Sequence, residues 1–334
     1  MNDFLLEPRD EFPHRPDPAL INFNESVYVN GFDGKQQVGG WMRIGNRPNE
    51  GHAEVAVCLY LPGGRVACQF KRPKIDSNER FDAAGLRYHV IEPLRSIRMD
   101  YEGPLMVLDD PAALRNPETL AAHARTARGS VQWTQTALSP VHGGLPSSDA
   151  VPTYYGRDFS LAHFNQHMRV QGHIRVGDEQ WSMDAAGWRD HSWGPRYWQN
   201  IYFYRLFIAN FDDGRGLMLL KITDPTGRTR RIGVLLIDGE YEDVIDMDVV
   251  TSWTEMDEPR KARIVVRTAR RSAVIDADMI TRAPLRNRRK AGDVILTARV
   301  IESFTAFTWD RVKGAGIAEY IDRLEGDRPV GVPL

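Results

Sequence analysis

Cysteine is nearly absent. The 334 residues hold two, Cys58 and Cys68, and one pair cannot supply the four ligands of a structural zinc site. They flank Leu61-Pro62-Gly63-Gly64-Arg65, a hairpin turn signal that puts them on facing strands. A disulfide there is sterically open. However, the opening MNDFLLEPRDEF carries acids and a proline where an export signal needs a cationic flank and an apolar run. The reading is two reduced thiols in a cytoplasmic protein. Long hydrophobic runs are also missing. No window approaches the ~20 continuous apolar residues of a membrane span, so no transmembrane segment is expected. Charge of one sign is lacking too. A formal net charge of −2 gives no global case for nucleic acid or anionic membrane as a partner. The local basic run from Arg282 to Lys290 reads as a solvated loop between strands.

Several catalytic signatures are absent as well. No Gly-x-Gly-x-x-Gly opens a helix after a strand, and no Walker loop cradles phosphate. Without Gly-x-Ser-x-Gly there is no α/β-hydrolase nucleophile elbow. His-Glu-x-x-His is missing, and the spaced pair His163 and His167, with His173 following, has no carboxylate at a firm spacing. No metal centre is therefore expected, and these histidines read as polar residues lining a cavity or rim.

What the chain does have is short β-type runs separated by turns. Ala53–Tyr60 and Arg65–Phe70 flank Pro62-Gly63-Gly64, and Ile201–Phe211 and Gly216–Ile222 flank Asp212-Asp213-Gly214-Arg215. Thr229–Ile237, Tyr241–Trp253, Ala262–Thr268, Ser272–Ile280 and Asp293–Phe304 continue the pattern. Turn chemistry every 8 to 12 residues defines an all-β sandwich or barrel fold. Helical signal is thin: Pro117–Ala127 reads as one short helix, and Ile317–Leu324 as a strand or a closing helical turn. About ten strands precede residue 198 and about nine follow it, by the alternation criterion. Each half can thus close a barrel of roughly eight strands, wide enough for one small ligand. The expected domains are 1–198 and 199–334. Residues 139–156, rich in Pro, Gly and Ser, read as a long loop or lid within the first.

The densest chemistry lies in 187–198, GWRDHSWGPRYW, where Trp188, Trp193 and Trp198 surround Arg189, Asp190, His191 and Arg196. If this is strand, Trp188 and Asp190 project to one side and Arg189, His191 and Trp193 to the other. An aspartate beside indole in an apolar cavity is pushed toward its acid form and can donate a proton. Indole faces stabilise a developing cation by ~0.5–2 kcal/mol each. Alternatively, Arg189 or Arg196 pairs with Asp190 and the cluster is structural. Spacing alone leaves both open. The flanks add Tyr202, Tyr204 and Arg205 downstream and Phe164, Asn165, Gln166 and His167 upstream. That is hydrogen-bonding aromatic surface, suited to a pocket for a large, mostly apolar ligand.

The run Gly187-Trp188-Arg189-Asp190-His191-Ser192-Trp193-Gly194 resembles the Gly-x-x-W-x-D-x-x-W type signature of the hydroxyneurosporene synthase (carotenoid 1,2-hydratase) and AttH-like superfamily. Ala185 stands where the leading glycine would be. Gly314-Ala315-Gly316-Ile317-Ala318-Glu319 is similar to the Gly-x-Gly-x-x-Glu segment that closes those proteins. The resemblance spans most of residues 20 to 325. It implies two tandem lipocalin-like β-barrels, a hydrophobic pocket at or near their junction, and no cofactor. It carries Trp188, Asp190, Trp193 and Glu319 over as site residues. The RDHSWGPR context departs from the carotenoid hydratases and looks like a separate branch.

The expected function is a cofactor-independent enzyme of the lyase or isomerase kind. Hydration, dehydration, isomerisation or cyclisation would proceed on an isoprenoid- or polyketide-like substrate. Asp190 is the expected general acid, with His191 as base or orienting group. Trp188, Trp193, Tyr202, Tyr204 and His167 would shape the pocket, with Arg196 or Arg205 anchoring a polar end. The rival reading is a non-catalytic carrier of a hydrophobic metabolite. Oligomeric state stays open, a homodimer included.

Overall fold

The computed structural model describes residues 3–333 apart from 152, 154, 158, 198–200 and 292. Trp198, which ends the motif and the expected first domain, lies outside the described residues. The chain divides into two compact units. The first comprises Met1–Leu61, Ala67–Val107 and Arg125–Tyr197; the second comprises Pro62–Val66, Leu108–Ala124 and Trp198–Leu334.

Eight strands of the first unit pair in a closed ring: β1 (Phe23–Asp33), β2 (Val38–Arg47), β3 (His52–Leu61), β4 (Arg65–Lys71), β5 (Ser96–Leu108), β6 (Arg125–Ala137), β7 (Ala162–Val176) and β8 (Glu179–Pro195). The ring closes because β6 pairs with both β5 and β7, and β8 pairs with both β7 and β1. Alternation fills the interior: Val27 and Val29 of β1, Met42 and Ile44 of β2, Val55, Val57 and Leu59 of β3, and Met168 and Val170 of β7 are all core residues. Burial of each such side chain contributes roughly 1.5–3 kcal/mol. Gly187 of β8 permits close packing here, since a Cβ would lie 2.0 Å from the Asn30 carbonyl oxygen.

The second unit is a closed antiparallel barrel of β9 (Phe203–Phe211), β10 (Gly216–Thr223), β11 (Thr229–Ile237), β12 (Glu240–Trp253), β13 (Pro259–Thr268), β14 (Ser272–Ala291), β15 (Val294–Trp309) and β16 (Val312–Glu325). Each strand turns tightly into the next. Between β11 and β12, for example, Asp238 and Gly239 sit at φ 51° and 81°, the left-handed pair of a type I′ turn. Phe207, Phe307, Trp309 and Tyr320 dominate the interior.

The all-β reading therefore stands, with corrections in detail. Of Pro117–Ala127 only Leu120–His123 is helical, because Arg125 already begins β6 and pairs with Val107. Residues 139–156 are not wholly loop: His142–Pro146 is a strand, its first three residues pairing with Asn165, Phe164 and His163. The run from Arg282 to Lys290 is not a loop either. It lies on the twenty-residue β14 and pairs along β15. Cys58 and Cys68 are buried free thiols, and burial pushes Cys68 up to about 12. No helix among the described residues is long and apolar enough to cross a membrane.

Candidate functional site

β8 carries the motif through to Pro195, and its register fixes which side each residue serves. Arg189, His191 and Trp193 share parity with Met183 and therefore face the barrel interior. Trp188, Asp190 and Ser192 face outward. On β7 they lie opposite His167, Asn165 and His163, and on β1 opposite Asn30, Tyr28 and Ser26.

The inward face is committed to ions. Arg189 donates to the Glu11 carboxylate, and through Nε and Nη2 to Gln166 Oε1 at 3.1 and 2.8 Å. Tyr88 donates to Glu11 at 2.6 Å, and the Leu94 amide at 2.8 Å. Burial raises the Glu11 carboxyl, but the Arg189 charge and these hydrogen bonds reverse it, leaving it below its ordinary value. Beside this pair, Glu25 Oε1 sits 2.7 Å from His14 Nδ1 and 2.9 Å from His191 Nε2. Burial opposes the Glu25 charge, yet the two imidazoles bring its pKa down to about 2. The same carboxylate raises His14 against the opposing effect of burial. His14 stacks on Trp193, centroids 3.9 Å apart. His191 therefore belongs to Glu25, on the opposite side of the strand from Asp190, so the expected Asp190–His191 pair does not form.

The outward face is different. Asp190 Oδ2 lies 3.7 Å from His163 Nε2, and the Asp190 side chain keeps 21% of its exposure while His163 has 3%. Trp188 is fully buried and meets His167 edge to face at 4.6 Å. Tyr28 and Trp41 stack at 6.1 Å on the same face, two strands across. Three fully or nearly fully buried polar groups of this face have no hydrogen-bond partner among the described residues: both amide atoms of Asn165, Nδ2 of Asn24 and Nε1 of Trp41. Such groups carry a desolvation cost of ~1–3 kcal/mol each unless water or a ligand meets them. At the end of β8, Arg196 donates to Ser192 Oγ at 2.9 Å and lies 4.2 Å over the Phe159 ring. Burial, with Arg43 and Arg47 nearby, lowers its pKa to about 9.

The remaining expected residues belong to the second unit. The Tyr202 hydroxyl donates to Glu325 at 3.0 Å, one residue before β9 begins, while Tyr204 is buried. Arg205 is not available as a substrate anchor. Its guanidinium donates to Asp322 Oδ1 at 2.7 Å and to the carbonyls of Tyr204, Ile321 and Gly331, over the Tyr320 ring at 4.5 Å. Glu319 faces Glu302 across β15 and β16. Burial, then the Glu319 charge, pushes the Glu302 carboxyl well up.

Sequence reasoning missed Glu11, His14, Glu25 and Glu302. Glu25 left one trace: a carboxylate at the position of an alternating apolar series that continues as Val27 and Val29. Glu11 and His14 left none, since Arg189, which pairs with Glu11, and the His191 and Trp193 rings against His14 lie about 180 residues downstream.

This is a tandem lipocalin-like, two-barrel fold whose first barrel carries an outward acid–imidazole pair and an inward ionic network. The chain belongs to the family described as Domain of unknown function (DUF7064), whose model matches residues 7–323. Its architecture is similar to that of an AttH-like protein from Nitrosomonas europaea, at 15% identity and TM-score 0.57, covering 97% of this chain and 98% of that one. It is likewise similar to CghA, at 13% identity and TM-score 0.59 over 98% and 95% of the two chains. Kievitone hydratase from Nectria haematococca follows at 10% and 0.56, over 96% and 94%. No curated protein matches the chain in sequence. At these identities the likeness is one of fold.

Proposed function

We propose that the protein is a lyase- or isomerase-type enzyme that moves protons on a large apolar substrate, with Asp190 and His163 as its acid–base pair. The observation that carries this reading is the 3.7 Å approach of Asp190 to His163, beside aromatic rings and unsatisfied amides. Of two such groups facing one substrate, one can give a proton and the other take one. In a hydration, the protonated member gives its proton to one alkene carbon. Water adds to the other carbon and passes a proton to the unprotonated member, so the pair ends with one proton again. Trp188, Tyr28 and Trp41 supply ring faces toward the positive charge that develops on carbon. Asn165 can hold the attacking water or a substrate oxygen. One structural neighbour fits this class in name, kievitone hydratase; another, CghA, was solved with Sch210972.

The test is turnover on a panel of prenylated phenols, isoprenoid alcohols and polyketide-type polyenes. Asp190→Asn should lower kcat at least ~100-fold, in line with loss of a general acid, and His163→Gln should change its pH profile. Full turnover by Asp190→Asn would show that the role is misassigned. The carrier reading predicts the opposite pattern: ligand bound and released unchanged, with affinity surviving Asp190→Asn.

A further inference from the structure

Inside the first barrel, three residues far apart in sequence aim one donor atom each at a common point. His14 Nδ1, Glu25 Oε1 and His191 Nε2 all lie within 4.8 Å of one another. Glu25 Oε2 is already taken by the His14 amide at 2.8 Å and by Asn78 Nδ2 at 2.5 Å, which leaves Oε1 directed at the two rings. Trp193 fixes the His14 plane by stacking, and Phe81 and Phe164 flank His191 at 5.6 and 5.3 Å. The second nitrogen of His14 lies 3.5 Å from the Asp10 carboxylate. A carboxylate behind a ligating imidazole is the usual support for metal-bound histidine, because it fixes the tautomer and strengthens the ligand.

We propose that His14, Glu25 and His191 form a binding site for one divalent ion of the zinc class. Two imidazoles and one carboxylate match the donor preference of late first-row cations and leave a coordination position open. The sequence shows no such site locally, because His14 and His191 lie 11 and 166 residues from Glu25. With each donor ~2.0–2.2 Å from the ion, the donors must stand roughly 3–3.5 Å apart. They now stand 2.7 and 2.9 Å apart along the two hydrogen bonds, so the site opens by about half an ångström on loading. His14 can give this, since its side chain retains 24% exposure while Glu25 and His191 retain none. It is also the side from which an ion would enter. The proposal is independent of the acid–base reading, which uses the other face of the same strand.

The experiment titrates the full-length, chelator-treated protein with cobalt(II) chloride and follows the visible d–d bands, then displaces cobalt with zinc. One cobalt per chain is expected, with bands typical of low coordination number. His14→Ala, at the half-open position, should lose at least ~100-fold in affinity, and Asp10→Asn roughly 10-fold through the supporting carboxylate. Asp190→Asn and His173→Ala should bind as wild type, so failure of the enzymatic reading cannot be mistaken for failure of this one. Absence of saturation at one ion per chain, or equal affinity in His14→Ala, overturns the site. Circular dichroism of His14→Ala separates lost ligation from lost fold.

Discussion

The buried Glu11–Arg189 pair gives the sharpest prediction, because its two partners lie 178 residues apart and tie the N-terminal segment to β8. Replacing Arg189 by methionine keeps most of the packing volume and removes the cation. Glu11, fully buried, would keep only the Tyr88 hydroxyl and the Leu94 amide. Breaking a buried pair from one side costs ~3–5 kcal/mol, since an uncompensated charge remains. A loss near 4 kcal/mol is therefore expected at neutral pH. The pH dependence follows from the sign of the Glu11 shift. In the wild type the folded pKa lies below the ordinary 4.5. Its contribution to stability is thus complete above that value and is lost as pH falls through the folded pKa. In Arg189→Met burial acts against a much weaker opposition and the folded pKa moves above 4.5. That penalty is largest at neutral pH and relaxes on acidification. The stability gap between the two proteins should narrow steadily from about pH 7 to about pH 4. Urea unfolding followed by tryptophan fluorescence measures it, with the two units fitted as separate transitions where they separate. A gap below about 1 kcal/mol, the level of an exposed ion pair, or a gap constant with pH would refute the reasoning.

Gly187→Ala places a Cβ 2.0 Å from the Asn30 oxygen and 2.7 Å from Val170 Cγ2, and should cost at least ~2 kcal/mol as overpacking. An unchanged Tm would contradict the β8–β1 register. Glu302 has a raised pKa, so its stabilising neutral form is complete below the ordinary 4.5 and is lost as pH climbs through the folded value. Glu302→Gln should therefore gain on wild type with rising pH, and parallel stability–pH curves would disprove the raised Glu302 pKa. Exchanging the neighbours, Asp190→His with His191→Asp, puts a carboxylate beside Glu25 and Glu11 inside the barrel. A cooperative transition near the wild-type Tm would show that the interior is not electrostatically selective.

The fold was legible because turns announce themselves. Asp238-Gly239 and the Pro62-Gly63-Gly64 run carry their backbone requirements in their side chains, and alternation such as Val27-x-Val29 states which face is buried. Long strands were less legible. The run from Arg282 to Lys290 reads as loop because charge is a sequence-local property, whereas its pairing with β15 is not. The same limit hid most of the site. Asp190, Trp188 and His167 stood out by type and spacing, but the choice of His163 over His191 as the imidazole beside Asp190 depends on cross-strand register. A strand states its own parity and not its neighbour's.

That parity is also what lets one short stretch serve two ends. Residues 189 and 191 point inward to Glu11 and Glu25, buried carboxylates that must be met by an opposite charge or by hydrogen bonds. Residue 190 points outward, among groups whose hydrogen bonds the described protein leaves unmade. The two sets lie within one strand at 3.3 Å per residue, yet they meet through the backbone alone. Rigidity on the inward side therefore serves the outward side. A β8 pinned by two buried carboxylates cannot slip by one residue without driving Asp190 into the interior and Arg189 out. The ionic cost of that slip is far larger than the loss of any single apolar contact. The acid on the outer face is thus held in register by the charges on the inner one.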